Sequence, residues 1–167
     1  MKTIKHLFVI VFIISGSVIL TNSKVSDSVF IMLALFIIIL FITNLFLRKN
    51  LTYKYYFMSK YNFLTSKYKS KQAYDISKKL MFEKVIEVIK HSNFVLTDIK
   101  KDTSEILAIS PMSLISWGEN LYIRFESTED KTMMYFCSTS FFLMYSWGKN
   151  EGNYKKLLNN IEDSLTI

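Results

Sequence analysis

The chain has one cysteine, Cys137, and two histidines, His6 and His91. A lone cysteine excludes an internal disulfide and any cysteine-based metal cage, and two histidines exclude a histidine-rich metal site. Proline occurs once and glycine four times, so no proline-rich or glycine-rich linker divides the chain. Charge is thin as well: 21% of residues are charged and half are hydrophobic, below what a soluble domain usually carries. A Walker loop, a GxSxG elbow and an HExxH pair are all missing. His91 falls at the end of an expected helix, where a basic residue offsets the helix dipole. Cys137 alternates with Met133 and Tyr135 along an expected strand, which suits a buried thiol rather than a nucleophile. The expectation is a non-enzyme with no cofactor, no metal and no catalytic residue.

What the chain has in quantity is apolar sequence near its start. Val29–Leu47 contains no charge and no proline, and as a helix it would reach ~28 Å, close to the ~30 Å hydrocarbon core of a bilayer. A shorter apolar run, Leu7–Leu20, follows the basic leader MKTIKH, and the TNSKVSDS after it offers no signal-peptidase site. The reading is a two-helix transmembrane hairpin over residues 1–50, its first helix running from about Ile4 to Asn22. Ser15, Gly16 and Ser17 supply a small-residue patch for close helix approach. The connection Thr21–Ser28 is nearly neutral, whereas Lys2 and Lys5 flank one helix and Arg48, Lys49 and Lys54 the other. The positive-inside rule then places both termini in the cytoplasm of a two-pass protein of the bacterial inner (cytoplasmic) membrane.

The net charge of +7 is unevenly distributed. Residues 48–71 hold seven basic residues and no acid, while 72–167 hold eleven basic and thirteen acidic ones. Basicity thus belongs to a juxtamembrane segment, 51–73, in which lysines interleave with Tyr53, Tyr55, Tyr56, Phe57, Tyr61, Phe63 and Tyr68. That mixture suits the headgroup level of an anionic leaflet, with Arg48, Lys49, Lys54 and Lys60 as headgroup contacts. The bilayer is the nearer polyanion, so no nucleic-acid partner is expected.

Residues 74–167 read as a cytosolic α+β domain. DISKKLMFEKVIEVIKHSNF has helical spacing with Asp75 as its cap. Four β-like runs follow: Phe94–Ile99, Glu105–Ser110, Asn120–Glu126 and Thr132–Thr139. NEGNYKKLLNNIEDSL closes the chain as an amphipathic helix capped by Asn150. The fold class expected is a membrane α-helical hairpin plus about four antiparallel strands flanked by an N-terminal and a C-terminal helix.

One pentapeptide recurs. Ser116-Trp117-Gly118-Glu119-Asn120 returns as Ser146-Trp147-Gly148-Lys149-Asn150, and the two copies contain both tryptophans of the chain. Glycine after a strand permits a sharp turn, and the tryptophan before it is expected to cover the end of the core. Trp117, Trp147, Lys149 and Asn153 are the candidate ligand or partner site. The stretch Phe94–Leu165, with SWGEN before a strand and SWGKNEGN opening the last helix, resembles small bacterial domains of unknown function. The wider layout is similar to two-transmembrane effectors of bacterial anti-phage signalling, from which it departs in its small number of strands. That resemblance implies a nucleotide-sensing module that assembles in the membrane. The residues themselves point to a membrane-anchored, non-catalytic module that binds a protein or small ligand at the inner leaflet. The alternative is an effector that perturbs the membrane as a homo-oligomer through its hairpin.

Overall fold

The computed structural model describes residues 27–47, 49–59, 65–113, 116, 118–128, 131–140 and 143–165. The chain forms two compact units, Met1–Phe46 and Leu47–Ile167.

In the first unit, helix α1 (Asp27–Leu47) carries the long apolar run, and Val29–Ile39 are exposed. Among the described residues, however, no helix is long and apolar enough to cross a membrane. That finding corrects the expectation of a membrane helical hairpin, and with it the two-pass inner-membrane location. The first arm of the expected hairpin lies outside the described residues.

The second unit is built on a five-stranded antiparallel sheet, in place of the four strands expected. A 3₁₀ turn (Leu51–Tyr53) and the one-turn helix α2 (Lys54–Met58) come first. Then follow β1 (Lys67–Tyr74), α3 (Lys78–His91), β2 (Val95–Lys100), β3 (Glu105–Ile109), β4 (Glu119–Ser127), β5 (Thr132–Ser140) and α4 (Lys149–Leu165). Strand order is β1-β5-β4-β3-β2, so the two earliest strands form the two edges. The unexpected strand is β1, which lies inside the basic aromatic segment 51–73 and pairs with β5 from Lys67↔Thr139 to Tyr74↔Thr132. Its outward positions are Lys67, Lys69, Lys71 and Ala73. Alternating lysines on an edge keep it from pairing with a second chain.

Both long helices lie on one face of the sheet. Met81, Phe82, Val85, Val88 and Ile89 of α3 meet Ile106, Ala108, Leu121, Ile123, Phe125, Met134 and Phe136, with Tyr154, Leu157 and Ile161 of α4 closing the cluster. The Phe82 and Phe125 rings meet edge-on at 5.9 Å, a favoured aromatic geometry. Helix α3 begins at Lys78 rather than at Asp75, because Ser77 is the cap and accepts from the Leu80 N–H at 3.4 Å. Asn150 is likewise not a cap. It sits inside α4 and is buried, with its amide turned into the sheet.

The opposite face carries a smaller cover. Leu51 and Phe57 pack on Leu107, Tyr122 and Cys137. This strap is tied down where the Leu51 N–H donates to Asp98 Oδ2 at 3.0 Å and where Lys54 pairs with Glu105.

Candidate functional site

Two places gather chemistry in the second unit. The first is the meeting point of the repeated pentapeptides. Glu119 opens β4 opposite Ser140, the last residue of β5. An antiparallel hairpin must therefore bring the residues before β4 and those after β5 to the same end of the sheet. There the fully buried Glu119 carboxylate accepts from Ser110 Oγ, Ser116 Oγ and Asn153 Nδ2, the last at 3.1 Å. Its own N–H donates to Ser110 Oγ at 2.8 Å. Beside it, Ser138 Oγ donates to Asn150 Oδ1 at 2.7 Å, and Asn150 Nδ2 donates to the Ser66 carbonyl at 3.1 Å and to Ser140 Oγ at 3.2 Å. Every donor in this group meets an acceptor, and the group is sealed from solvent. It is a polar plug that fixes α4 on the sheet.

The second pentapeptide turn faces outward. Trp147 and Gly148 take successive positive φ values of 48° and 78°, and the Lys149 N–H donates to the Ser146 carbonyl at 2.8 Å. That is the backbone pattern of a type I′ turn. Trp147 is 73% exposed, with its ring 5.4 Å from Tyr145, so it does not cover the core as the sequence suggested. Of the four residues expected to share a site, Asn153 points into the plug, Trp147 points away from it, and Lys149 is half-buried at the helix start. Trp117 lies outside the described residues. Among the headgroup candidates, Lys49 is exposed, Lys54 is engaged with Glu105, and Arg48 and Lys60 lie outside the described residues.

The second place is a groove of about 320 Å³ on the outer face of the sheet. The strap forms one wall through Leu51, Lys54, Tyr55 and Met58, and β1, β4 and β5 form the floor. Strand alternation puts Tyr122 and Arg124 of β4, Tyr135 and Cys137 of β5, and Lys69 of β1 on that floor. The Arg124 guanidinium lies over the Tyr135 ring at 5.0 Å and donates to Glu126 at 3.0 Å. The hydrogen bond that Tyr135 makes to Glu126 keeps its hydroxyl protonated and raises its pKa. Lys69 Nζ donates to the Met58 carbonyl at 3.3 Å, linking floor to strap. Burial pushes the Cys137 thiol up to about 11, against the opposing pull of Lys69 and Lys67.

The sequence shows a strand at Asn120–Glu126, and its alternation places Tyr122, Arg124 and Glu126 on the outer face. Sequence reasoning missed the groove because β1 and the strap were read together as one basic aromatic juxtamembrane segment. The available signal was the period-two pattern Lys67, Lys69, Lys71. No group of His, Cys, Asp and Glu able to hold a metal occurs among the described residues. Compared with known proteins, the chain matches no protein-family model and no curated protein.

Proposed function

We propose that the Leu47–Ile167 unit is a non-catalytic binding module that holds a small ligand in the outer-face groove. The observation that carries this reading is the groove itself. Its ~320 Å³ volume falls at the lower end of the range for small-molecule sites, and it combines apolar and aromatic walls with a few polar side chains. Its floor consists of three hydrogen-bonded strands, β1, β5 and β4, which hold side chains more rigidly than a loop would. Binding is favoured over covalent chemistry because the only thiol in the groove titrates at about 11 and is a poor nucleophile at neutral pH.

The sole cysteine makes the reading testable at the site. Cys137 is buried at the base of the groove beneath Leu51 and Phe57, so its slow alkylation by iodoacetamide in the full chain reports on the opening of that place. Octanol and octanoate are small amphiphiles of the size the groove accepts. Saturable slowing of Cys137 alkylation by one or both is the expected result. An unchanged rate with both, up to saturating concentrations, would overturn the reading.

A further inference from the structure

We infer that the ligand of this groove is a small anion with an apolar body, its acidic group lying between Lys69 and Arg124 and its body against Leu51, Met58 and Tyr122. The inference rests on the binding reading above and adds the chemistry of the ligand. Three cations line the groove, Lys54, Lys69 and Arg124, against a single carboxylate, Glu105. Lys54 and Glu105 answer each other. Among the described residues Lys69 has no carboxylate partner and spends its recorded hydrogen bond on a carbonyl. Arg124 has its acid, Glu126, outside the lining, at a position about half exposed. The groove thus presents Lys69 without an acid among the described residues, and Arg124 paired to one half-exposed carboxylate outside the lining.

The placement of those charges matters more than their number. Lysines on β1 have an ordinary explanation, because an edge strand needs protection from pairing. Arg124 has no such explanation, since β4 lies between β5 and β3 inside the sheet. It stands two strands from Lys69, about 10 Å across and two residues, about 7 Å, along, with Tyr135 beside Arg124 and Cys137 beside Lys69 on the strand between. Both side chains are long enough to reach an acidic group placed over that middle strand. The Lys69 and Lys67 charges already pull on the Cys137 thiol, so the floor of the groove lies within their field. Toward the strap the lining becomes apolar, with Leu51 and Met58 beside the Tyr122 ring. Charge at one end and apolar surface at the other describe an amphiphilic anion.

The test uses the full chain and three probes. Octanoate has both charge and body, octanol has the body alone, and acetate has the charge alone. Iodoacetamide labelling of Cys137 is followed by mass spectrometry at mildly alkaline pH. Octanoate should protect Cys137 at several-fold lower concentration than octanol, and acetate should protect least. Lys69→Gln and Arg124→Gln should each raise the octanoate concentration for half-protection by about three- to fivefold, the effect of one partly exposed charge. Neither should change the octanol value. Both side chains face solvent, and an unaltered far-UV circular-dichroism spectrum and melting curve verify that each variant folds. Protection is read against each variant's own rate without probe, because loss of the Lys69 charge itself slows labelling. Equal protection by octanoate and octanol would end the anion assignment and leave the binding reading standing. Protection by acetate matching octanoate would end the claim for an apolar body. No protection by any probe would end both the assignment and the reading, and octanoate affinity unchanged in both variants would remove Lys69 and Arg124 from the site.

Discussion

Removing the amide of Asn153 tests whether the repeated pentapeptides meet in a plug that holds the fold. In Asn153→Ala the Glu119 carboxylate loses the donor at 3.1 Å, and Ser138 loses a contact at 3.4 Å. Glu119 has no exposed surface, so water cannot replace the lost donor without opening the end of the sheet. An under-satisfied buried group costs ~1–3 kcal/mol, and more where charge is involved. Taking ~2 kcal/mol against a total of ~5–15 kcal/mol, the melting temperature should fall by roughly 6–12 °C for a unit of this size. Lys155→Gln serves as a control. It breaks an exposed pair to Glu151 at 2.9 Å on the same helix and should leave the melting curve almost unmoved. The decisive measurement is a double-mutant cycle with Glu119→Gln, followed by urea unfolding of all four proteins. A neutral amide can donate as well as accept and no longer needs three donors, so Asn153→Ala should cost about 1 kcal/mol less in that background. Additive single costs would show that Asn153 and Glu119 do not act together, and an Asn153→Ala protein that melts within a degree or two of the parent would show that the plug does not bear on stability.

Burial raises the Cys137 thiol from its ordinary value near 9 to about 11. Between those values the unfolded chain has lost its thiol proton while the folded chain keeps it. Stability contributed below pH 9 therefore falls by ~1.4 kcal/mol per pH unit and is lost as pH passes through about 11. Urea titrations of the parent and Cys137→Ser across that window should diverge by ~2–3 kcal/mol in all, and parallel profiles would refute the assignment. Trp147 holds a left-handed backbone at φ 48° with its ring mostly in solvent. Trp147→Gly should therefore melt at or slightly above the parent, since such a conformation costs a side-chain-bearing residue ~1–2 kcal/mol. A fall of more than about 5 °C would mean that the ring packs on part of the core.

Much of the second unit was legible in the sequence, for a definite reason. β4 alternates apolar and polar residues, β2, β3 and β5 are short β-like runs bounded by polar turns, and α3 and α4 each carry an apolar stripe at helical spacing. These patterns follow directly from having one face on the core. β1 was not legible because an edge strand half-buries its inner face. Ser70 and Gln72 suffice there, and its outer face is lysine, so hydrophobic contrast along KYKSKQAY is weak. The cap of α3 was misplaced by two residues because Asp75 and Ser77 are both good caps by residue type. Which one serves depends on where β1 ends, and that lies beyond the helix pattern itself. The tryptophans misled for a related reason. Residue size predicts burial on average, but Trp147 occupies a position in a tight turn that the backbone directs away from the core. In the same motif the smaller Glu119 and Asn150 point inward. The apolar run Val29–Leu47 was legible as a helix, and α1 spans it. Its length and composition alone led to a spanning segment and so to a hairpin, which the structure does not support.

The two faces of the sheet divide the labour of the second unit, and the division sets where a ligand can enter. On the helix face the core is stopped at one end by the Glu119–Asn153 plug. On the outer face the strap is fastened toward β2 and β3, where Asp98 holds the Leu51 N–H and Glu105 holds Lys54. Toward β1 its recorded tie is the exposed hydrogen bond from Lys69 to the Met58 carbonyl, at 3.3 Å. That bond is long and solvent-facing, and such bonds contribute little. A ligand bound as proposed would enter from the β1 side, exchange the Lys69–Met58 contact for its own acidic group, and come to rest under the fastened edge of the strap. The residue that loosens the entrance is thus the same lysine that would hold the anion, so binding and entry draw on one side chain.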